Sequence, residues 1–249
     1  MAGPDKVALI TGAVGAIGSA TARRLAQDGY ALALADMVAP DNNAVPAKSL
    51  ILALDVRSGE QVRSIVERTL AHHGRIDVLV NVAGITSFGS AQALPEAEWQ
   101  RVLDINLSGT FRCCQAVLPA MRAQGQGRIV NIGSVLGKNG GNTRPWMDPS
   151  EQKGSGNVAY GVSKAGVHAM TAYLAREVAS LGITVNAVAP GPVASAMTTA
   201  LPPSIKSLIP LGRMGSPDDV AATIAFLVSD AASFITGEII DINGGMWCD

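Results

Sequence analysis

Seven short runs of apolar residues recur along the chain and predict the strands of one sheet. They cover residues 7–10, 31–35, 50–54, 77–82, 128–132, 183–188 and 238–242. Because the apolar residues in these runs are continuous rather than alternating, we expect strands buried on both faces, as in a parallel sheet covered by helices.

Helical patterns fill most of the segments between these runs. Two helix starts are marked by capping residues, one at Ser58 and one at Ser216, which Pro217 and Asp219 follow. The crossover after the second strand carries two prolines and two asparagines and predicts a loop. Alternating strand and helix predict an α/β fold, a doubly wound Rossmann-type parallel sheet of about seven strands with helices on both faces.

Composition narrows the functional classes. The 249 residues are 48% hydrophobic and 16% charged, which is typical of a globular enzyme, and no linker or repeat divides them. We therefore expect residues 1–249 to form a single domain. With 19 basic and 20 acidic residues and no basic run, the chain is not expected to bind nucleic acid.

The cysteines and the lengths of the apolar runs indicate where in the cell the protein is expected. The three cysteines, Cys113, Cys114 and Cys248, suit neither a disulfide framework nor a metal site, so we expect free thiols and no metal. No apolar stretch approaches the length of a membrane span, and the N-terminus does not resemble a cleavable signal. These features predict a cytoplasmic protein with no membrane partner.

The first strand leads into a glycine turn and an amphipathic helix, "VALITGAVGAIGSATARRLAQDG". Gly12, Gly15 and Gly18 allow the backbone to turn sharply and to approach a pyrophosphate held at the helix N-terminus. A tight turn without a ligand is the alternative. In this context the pattern favours a dinucleotide-binding and catalytic domain.

Asp36 ends the second strand, 18 residues after Gly18, where a carboxylate can accept hydrogen bonds from both hydroxyls of an adenosine ribose. A 2′-phosphate there would meet a like charge, which costs about 4 kcal/mol per pair of unit charges at roughly 4 Å. No Lys or Arg occupies the glycine turn or follows Asp36. The pattern therefore favours NAD over NADP, unless Asp36 is an ordinary polar strand end.

Several ordered motifs together carry a family resemblance. They are TGxxxGxG at 11–18, "NVAG" at 81–84, Asn106 in "LDINLSGTF", Ser134 in "NIGS", "YGVSK" at 160–164 and "PGPV" at 190–193. Along nearly its whole length the chain resembles the classical short-chain dehydrogenase/reductases, and its C-terminal third is most similar to the 3-oxoacyl-carrier-protein reductase branch. Two positions depart from the family pattern, because Ala16 replaces a motif glycine and Ser195 replaces a threonine.

The resemblance implies a set of cofactor contacts. Asp55 and Val56 would border the adenine, Asn81 and Gly84 the adenosine ribose, and Val193 the nicotinamide carboxamide. The full expected cofactor set is Gly12, Gly15, Ile17, Gly18, Asp36, Asp55, Val56, Asn81, Ala83, Gly84, Tyr160, Lys164, Pro190, Gly191, Val193 and Ser195. The resemblance also implies a homotetramer whose contacts are the helices near 106–124 and 160–181 and the C-terminal strand.

Four residues form the expected catalytic set. Tyr160 can act as acid or base if its phenol pKa, near 10 when unperturbed, is lowered. Lys164 lies one helical turn away and could stabilise the phenolate, while Ser134 could hydrogen-bond the substrate oxygen. By the resemblance, Asn106 would hold a water through which the proton passes from Lys164 to solvent.

Ser134 and Tyr160 are 26 positions apart, roughly a dozen more than the family usually has. We expect an inserted active-site segment at about 138–157 that forms a flap, with Trp146 as an apolar contact and Arg144 or Lys138 available to the substrate. A surface excursion or an oligomer contact is the alternative.

The expected activity is hydride transfer between NAD and a secondary alcohol or ketone of the polyol, sugar or hydroxy acid type. An NADH-dependent 3-oxoacyl-thioester reductase is the first alternative. A non-catalytic dinucleotide-binding regulator on the same fold is the second.

Overall fold

The computed structural model describes residues 6–39, 45–141, 148–194 and 203–248. Its centre is one parallel sheet with the strand order β3-β2-β1-β4-β5-β6-β7. Each predicted run forms a strand. The strands are β1 Val7–Thr11, β2 Ala31–Asp36, β3 Leu50–Ala53, β4 Val78–Asn81, β5 Gly127–Ile132, β6 Ile183–Pro190 and β7 Ile239–Ile242.

Six α-helices of the described chain connect or flank these strands: α1 Ala16–Gln27, α2 Gly59–His73, α3 Glu96–Leu103, α4 Thr110–Gln124, α5 Val158–Val178 and α6 Pro217–Val228. The two predicted capping residues begin α2 and α6. The Ser58 side chain accepts a hydrogen bond from the Gln61 amide, and Ser216 forms a reciprocal capping box with Asp219. No helix lies in the described parts of the crossover after β2, as its prolines predict.

Two apolar clusters lie on opposite faces of the sheet. Successive strand residues point to opposite faces, so Leu9 lies in one cluster and Ile10 in the other. The first cluster includes Val117 of α4, and the second includes Ile224 of α6. The predicted fold class, a doubly wound sheet with helices on both faces, is therefore confirmed.

The strand order reverses between β1 and β4. From β1 the chain proceeds to β2 and β3 on one side, and from β4 it proceeds to β5, β6 and β7 on the other. Parallel sheets leave a crevice at the carboxyl ends of the strands where the order reverses. This reversal places the ends of β1 and β4 beside the cavity described below.

Candidate active site

A cavity of about 720 Å³ opens at the carboxyl ends of the strands. Its walls combine residues from the glycine turn, the ends of β2, β4, β5 and β6, the start of α5 and the C-terminal segment. Of the expected cofactor contacts, the structure brings together on this wall Gly12, Gly15, Ile17, Asp36, Asp55, Val56, Ala83, Gly84, Tyr160, Pro190, Gly191 and Val193.

The glycine turn joins β1 to α1 at one end of this cavity. Gly12 has a φ of +67°, and a Cβ there would lie 2.5 Å from the backbone nitrogen of Ala83. Glycine is therefore required at Gly12 for both conformation and space. Gly15 caps α1 and faces the cavity, whereas Gly18 lies behind the turn, where a Cβ would overlap the carbonyl of Gly12.

The turn and its helix suit a dinucleotide. The N-terminus of α1 has no side-chain cap, and its first residues, Ala16 and Ile17, line the cavity. The first amides of a helix have no partner within the helix, so a pyrophosphate would be favoured there. Ala16, which replaces a family glycine, is the first residue of α1 and lines the cavity without disturbing the turn. The described residues therefore fit the phosphate portion of a dinucleotide.

Asp36 stands at the carboxyl end of β2 and lines the cavity. Its Oδ2 accepts a hydrogen bond of 2.9 Å from the backbone amide of Val14 in the glycine turn. This bond fixes the carboxylate beside the turn. The described cavity lining includes no Lys or Arg that could neutralise a phosphate at this point.

Asp55 and Val56 form the wall after β3. Asp55 makes a bidentate ion pair with Arg57, and this hydrogen bonding lowers the pKa of the carboxyl. Val56 packs against Gly109, where a Cβ would lie 2.7 Å from a methyl group of Val56. Both residues occupy the cavity wall where the resemblance places the adenine.

Asn81 does not line the cavity, contrary to the expectation. Its side chain is buried beneath the sheet, where Nδ2 donates to Asn131 Oδ1 at 2.9 Å and to Cys114 Sγ at 3.3 Å. The Asn131 amide in turn donates to Thr171 of α5 at 3.0 Å. Asn81 therefore couples β4 to β5 and α5, and the other three residues of this motif, Val82, Ala83 and Gly84, line the cavity.

The end of β6 forms the opposite wall. Pro190 and Gly191 line the cavity, and Val193 is held by a backbone bridge to Gly215. The expected contact Ser195 lies outside the described residues.

Three of the four expected catalytic residues lie close together. Asn157 caps α5 by accepting hydrogen bonds from the Ala159 and Tyr160 amides, which places Tyr160 in the first turn at the cavity wall. The Lys164 Nζ atom lies 5.8 Å from the centre of the Tyr160 ring and donates to the Ile132 carbonyl at 2.8 Å. Ser134 follows β5 on the same wall.

The acid–base properties of this group differ from the expectation. Burial raises the pKa of Tyr160, and the Ser134 hydroxyl only partly counteracts this effect. Burial also lowers the pKa of Lys164 to about 8. Desolvation therefore outweighs the expected stabilisation of a phenolate. The arrangement holds a neutral phenol, which is a proton donor.

Asn106 lies in a π-helical segment, Asp104–Gly109, between α3 and α4. Its side chain is fully buried and clamps the loop after β4, because Oδ1 accepts from the Ile85 amide and Nδ2 donates to the Ile85 carbonyl and to Ser163. A Cβ on Gly84 would lie 3.2 Å from Asn106 Oδ1 and 3.5 Å from Lys164 Nζ. Asn106 is thus near the lysine, with its amide bound to protein groups.

Both described ends of the predicted insertion reach the cavity. Asn139 and Gly141 line it from one end, and Ser155 and Gly156 from the other. Gly156 pairs with Phe88 in an antiparallel bridge. The predicted contacts Arg144 and Trp146 lie outside the described residues.

Lys138 is not available to a substrate, contrary to the expectation. Its ammonium forms an ion pair of 2.9 Å with Asp241 and also donates to the Ile239 carbonyl, and only 12% of its side chain is exposed. Lys138 therefore anchors the start of the insertion to β7.

Sequence reasoning missed several residues of this site. The apolar wall beside Tyr160 has no sequence signature, whereas Asn157 could have been found as a capping residue before a helix. His168 lies four residues after Lys164, and its Nε2 accepts a hydrogen bond from the Ser134 amide. The missed apolar lining residues are Ile85, Phe88, Leu136, Leu208 and Met246.

Other proteins are similar to this chain in sequence and in fold. A family described as enoyl-(acyl carrier protein) reductase matches residues 12–247. The 3-oxoacyl-[acyl-carrier-protein] reductase FabG of Staphylococcus epidermidis is 40% identical over 98% of this chain and 99% of its own length. The corresponding Thermotoga maritima reductase is 40% identical over 97% of both chains. The crystal structure of gox2181 has a TM-score of 0.86 and 35% identity, covering 97% of this chain and 95% of its own.

These relatives overturn the expected activity on polyols, sugars or hydroxy acids. The similar curated proteins are named as reductases of 3-oxoacyl thioesters, which was the alternative interpretation. The structure supplies the physical reason, because the wall beside Tyr160 is largely apolar and the expected polar contact Lys138 is bound elsewhere. The dehydrogenase interpretation for these polar substrates is therefore wrong.

The family assignment rests on nearly the whole chain. The match spans residues 12–247, and it includes the glycine turn, the serine, tyrosine and lysine beside the cavity, and the end of β6. Members of this family work with a nicotinamide dinucleotide, which the described turn fits. The chain is therefore an oxidoreductase that belongs to the short-chain dehydrogenase/reductase family.

Proposed function

We propose that this protein reduces the ketone of a 3-oxoacyl thioester to the 3-hydroxyacyl thioester, with NADH as the hydride donor. The observation that carries the proposal is a neutral, partly buried phenol on a largely apolar cavity wall. Reduction of a ketone requires a proton donor for the oxygen, and an acyl chain requires an apolar surface. The relatives named as 3-oxoacyl reductases support the same substrate class.

The substrate end of the cavity suits an acyl chain. Leu136 and Phe88 lie beside Tyr160, because a Cβ on Gly156 would contact both Leu136 and Tyr160, and Gly156 pairs with Phe88. The described lining carries no charged side chain at this end. Each methylene transferred from water to such a wall contributes about 0.8 kcal/mol. A polyol would lose hydrogen bonds to water at the same surface, and each unpaired hydroxyl costs roughly 1–3 kcal/mol.

In the proposed reduction each of three side chains has its own role in protonating the ketone oxygen. When bound, the reduced nicotinamide supplies a hydride to the ketone carbon. Tyr160 donates its phenolic proton to the ketone oxygen, so the carbonyl becomes an alcohol. The Ser134 hydroxyl accepts from the Leu136 amide and hydrogen-bonds the Tyr160 phenol, and when the ketone binds it donates to the ketone oxygen instead. Lys164, one helical turn away, returns a proton to the tyrosine.

The preference for NADH rests on Asp36. Its carboxylate lies beside the glycine turn, with one oxygen bound to the Val14 amide and the other available to a ribose hydroxyl. A 2′-phosphate at this point would meet an uncompensated negative charge. This position of the Asp36 carboxylate supports the proposal that NADH rather than NADPH is the hydride donor.

We also propose that residues 138–157 act as an active-site flap in a single domain. Both described ends line the cavity, and the chain between them is long enough to cover it. Lys138 and the Gly156 bridge to Phe88 hold these two ends beside the cavity.

A homo-oligomer is the expected assembly. Phe111 of α4 and Tyr173 of α5 are 42% and 80% exposed, on the two helices that the family resemblance places at a subunit contact. These two exposed aromatic side chains support a contact at the helices that carry them. Light scattering of the purified protein tests this assembly, and a monomeric mass would contradict it.

The proposed reaction is tested by identifying its product. Purified protein is incubated with acetoacetyl-CoA and NADH, and the thioesters are separated by chromatography. The proposal requires 3-hydroxybutyryl-CoA in amounts equal to the NADH consumed, with Tyr160→Phe forming almost none. An unchanged thioester in the presence of bound NADH would contradict it.

A further inference from the structure

We propose that His168 is a positioning residue for the reaction, because it fixes the backbone of Ser134 from a different element. The inference rests on the proposed function, in which the Ser134 hydroxyl binds the ketone oxygen. His168 lies on α5, and its Nε2 accepts a hydrogen bond of 3.3 Å from the amide of Ser134, which is 34 residues away in sequence.

The hydrogen bonds of Ser134 show why this contact matters. Its Oγ accepts from the Leu136 amide at 3.1 Å, and its carbonyl accepts from the Gly137 amide at 3.0 Å. Both of these bonds lie within the short turn that contains Ser134. They fix the conformation of the turn but not its position relative to α5. The bond to His168 joins this turn to the helix that carries Tyr160 and Lys164.

The spacing along α5 aligns the three side chains. Tyr160, Lys164 and His168 follow one another at intervals of four residues, so they lie on the same face of the helix. The helix therefore holds the phenol, the ammonium and the acceptor for Ser134 as one rigid unit. An acceptor Nε2 carries no proton, so the ring is in its neutral form with the proton on Nδ1.

Gly133 provides the space for the imidazole. A Cβ at this position would overlap the His168 ring, and its next contact would be the Val188 carbonyl at 3.2 Å. Gly133 does not have the left-handed backbone that favours glycine, so the close approach of His168 is the main reason for glycine here. The imidazole of His168 therefore occupies the space that the missing side chain of Gly133 leaves.

The first test compares two substitutions of His168. His168→Leu retains most of the volume and removes the acceptor, whereas His168→Gln retains an acceptor near the position of Nε2. For acetoacetyl-CoA reduction we expect kcat to fall about tenfold in His168→Leu and less than about threefold in His168→Gln. The KM for NADH should not change in either. Val167→Ala, a buried neighbour on α5, controls for lost stability.

The second test is a double-mutant cycle between Gly133 and His168. Gly133→Ala alone should lower kcat, because the methyl group displaces the imidazole from Ser134. In the His168→Ala background the same substitution should have almost no further effect, which is a strong coupling in a double-mutant cycle. Equal losses in the two backgrounds would overturn the inference.

The outcomes separate the inference from the proposed function. If the wild type reduces no 3-oxoacyl thioester, the proposed function fails and the role of His168 in it fails too. If the wild type is active and His168→Leu retains full kcat, only the inference is overturned. An equal loss of kcat in His168→Leu and His168→Gln would also overturn it, because the loss would then come from the changed shape of the side chain and not from the missing acceptor.

Discussion

Lys164 holds its ammonium nitrogen 5.8 Å from the centre of the Tyr160 ring and donates to the Ile132 carbonyl at 2.8 Å. Desolvation raises the pKa of the Tyr160 phenol and lowers the pKa of the Lys164 amine to about 8. At neutral pH both groups carry their protons. The pair is thus prepared to give a proton to a ketone, which is the requirement of the proposed reduction.

The first prediction concerns the pH dependence of kcat. Lys164 keeps its proton below about pH 8 and loses it above, so it can return a proton to Tyr160 only on the acidic side. Ketone reduction should therefore be constant near neutral pH and fall as the pH rises through about 8. A profile of kcat at saturating substrate checks this, and a rate that rises across this range would contradict the assignment.

The second prediction concerns stability. Because folding lowers the Lys164 pKa from 10.5 to about 8, the unfolded chain binds more protons between these values, and wild-type stability should rise with pH across this window. Below about pH 8 the full destabilisation, on the order of 3 kcal/mol, is present. Lys164→Met should therefore unfold at higher urea concentration than the wild type at neutral pH.

The advantage of Lys164→Met should shrink as the pH approaches about 10.5. The surface substitution Lys6→Met is the control, since Lys6 forms only an exposed ion pair with Asp230. A stability difference for Lys164→Met that is independent of pH would show that the buried amine is not its source.

The third prediction concerns cofactor choice. Asp36→Asn removes the negative charge and keeps an oxygen that can accept the Val14 amide. The ratio of kcat/KM for NADPH to that for NADH should rise at least about tenfold, because the repulsion of the 2′-phosphate is lost. Steady-state kinetics with both cofactors checks this. Asp55→Asn, which changes a charge already paired with Arg57, serves as the control.

The fourth prediction concerns the length of the acyl chain. If the apolar wall holds the chain, kcat/KM should increase by roughly fourfold for each added methylene until the wall is filled, as about 0.8 kcal/mol per methylene requires. The increase should weaken in Leu136→Ala, because this side chain lines the substrate end. Equal kcat/KM values along the series would place the chain outside the cavity.

The fifth prediction concerns the flap. Removal of residues 141–154 should raise KM for the thioester or lower kcat at least about tenfold, because the cover of the substrate is lost. The affinity for NADH should change little, since the glycine turn and Asp36 lie at the other end of the cavity. Unchanged thioester kinetics would show that the segment has another role.

The strands and the order of the site motifs could be predicted from sequence because they depend on local patterns. Continuous apolar runs mark buried parallel strands, and Gly12 marks the turn after the first of them. The reversal of strand order then places the turn beside the cavity. These features follow from patterns within a few residues of one another.

Side-chain direction could not be predicted, because it depends on contacts between distant elements. Asn81 follows the motif but points beneath the sheet to Asn131, a partner that belongs to another strand. Lys138 is polar in sequence, yet β7 supplies Asp241 as its partner 103 residues away. Burial likewise reversed the expected pKa shift of Tyr160, since the sequence does not reveal how completely a phenol is desolvated.

The most direct test of the central claim is kcat/KM for acetoacetyl-CoA with NADH at neutral pH, measured for the wild type and Tyr160→Phe. Crotonyl-CoA, which has the same chain without the ketone, is the matched control substrate. The account predicts a wild-type value on the order of 10⁴ M⁻¹ s⁻¹ or more, a loss of at least about a hundredfold in the variant, and no reduction of crotonyl-CoA. Reduction of crotonyl-CoA, or equal rates in wild type and variant, would contradict it.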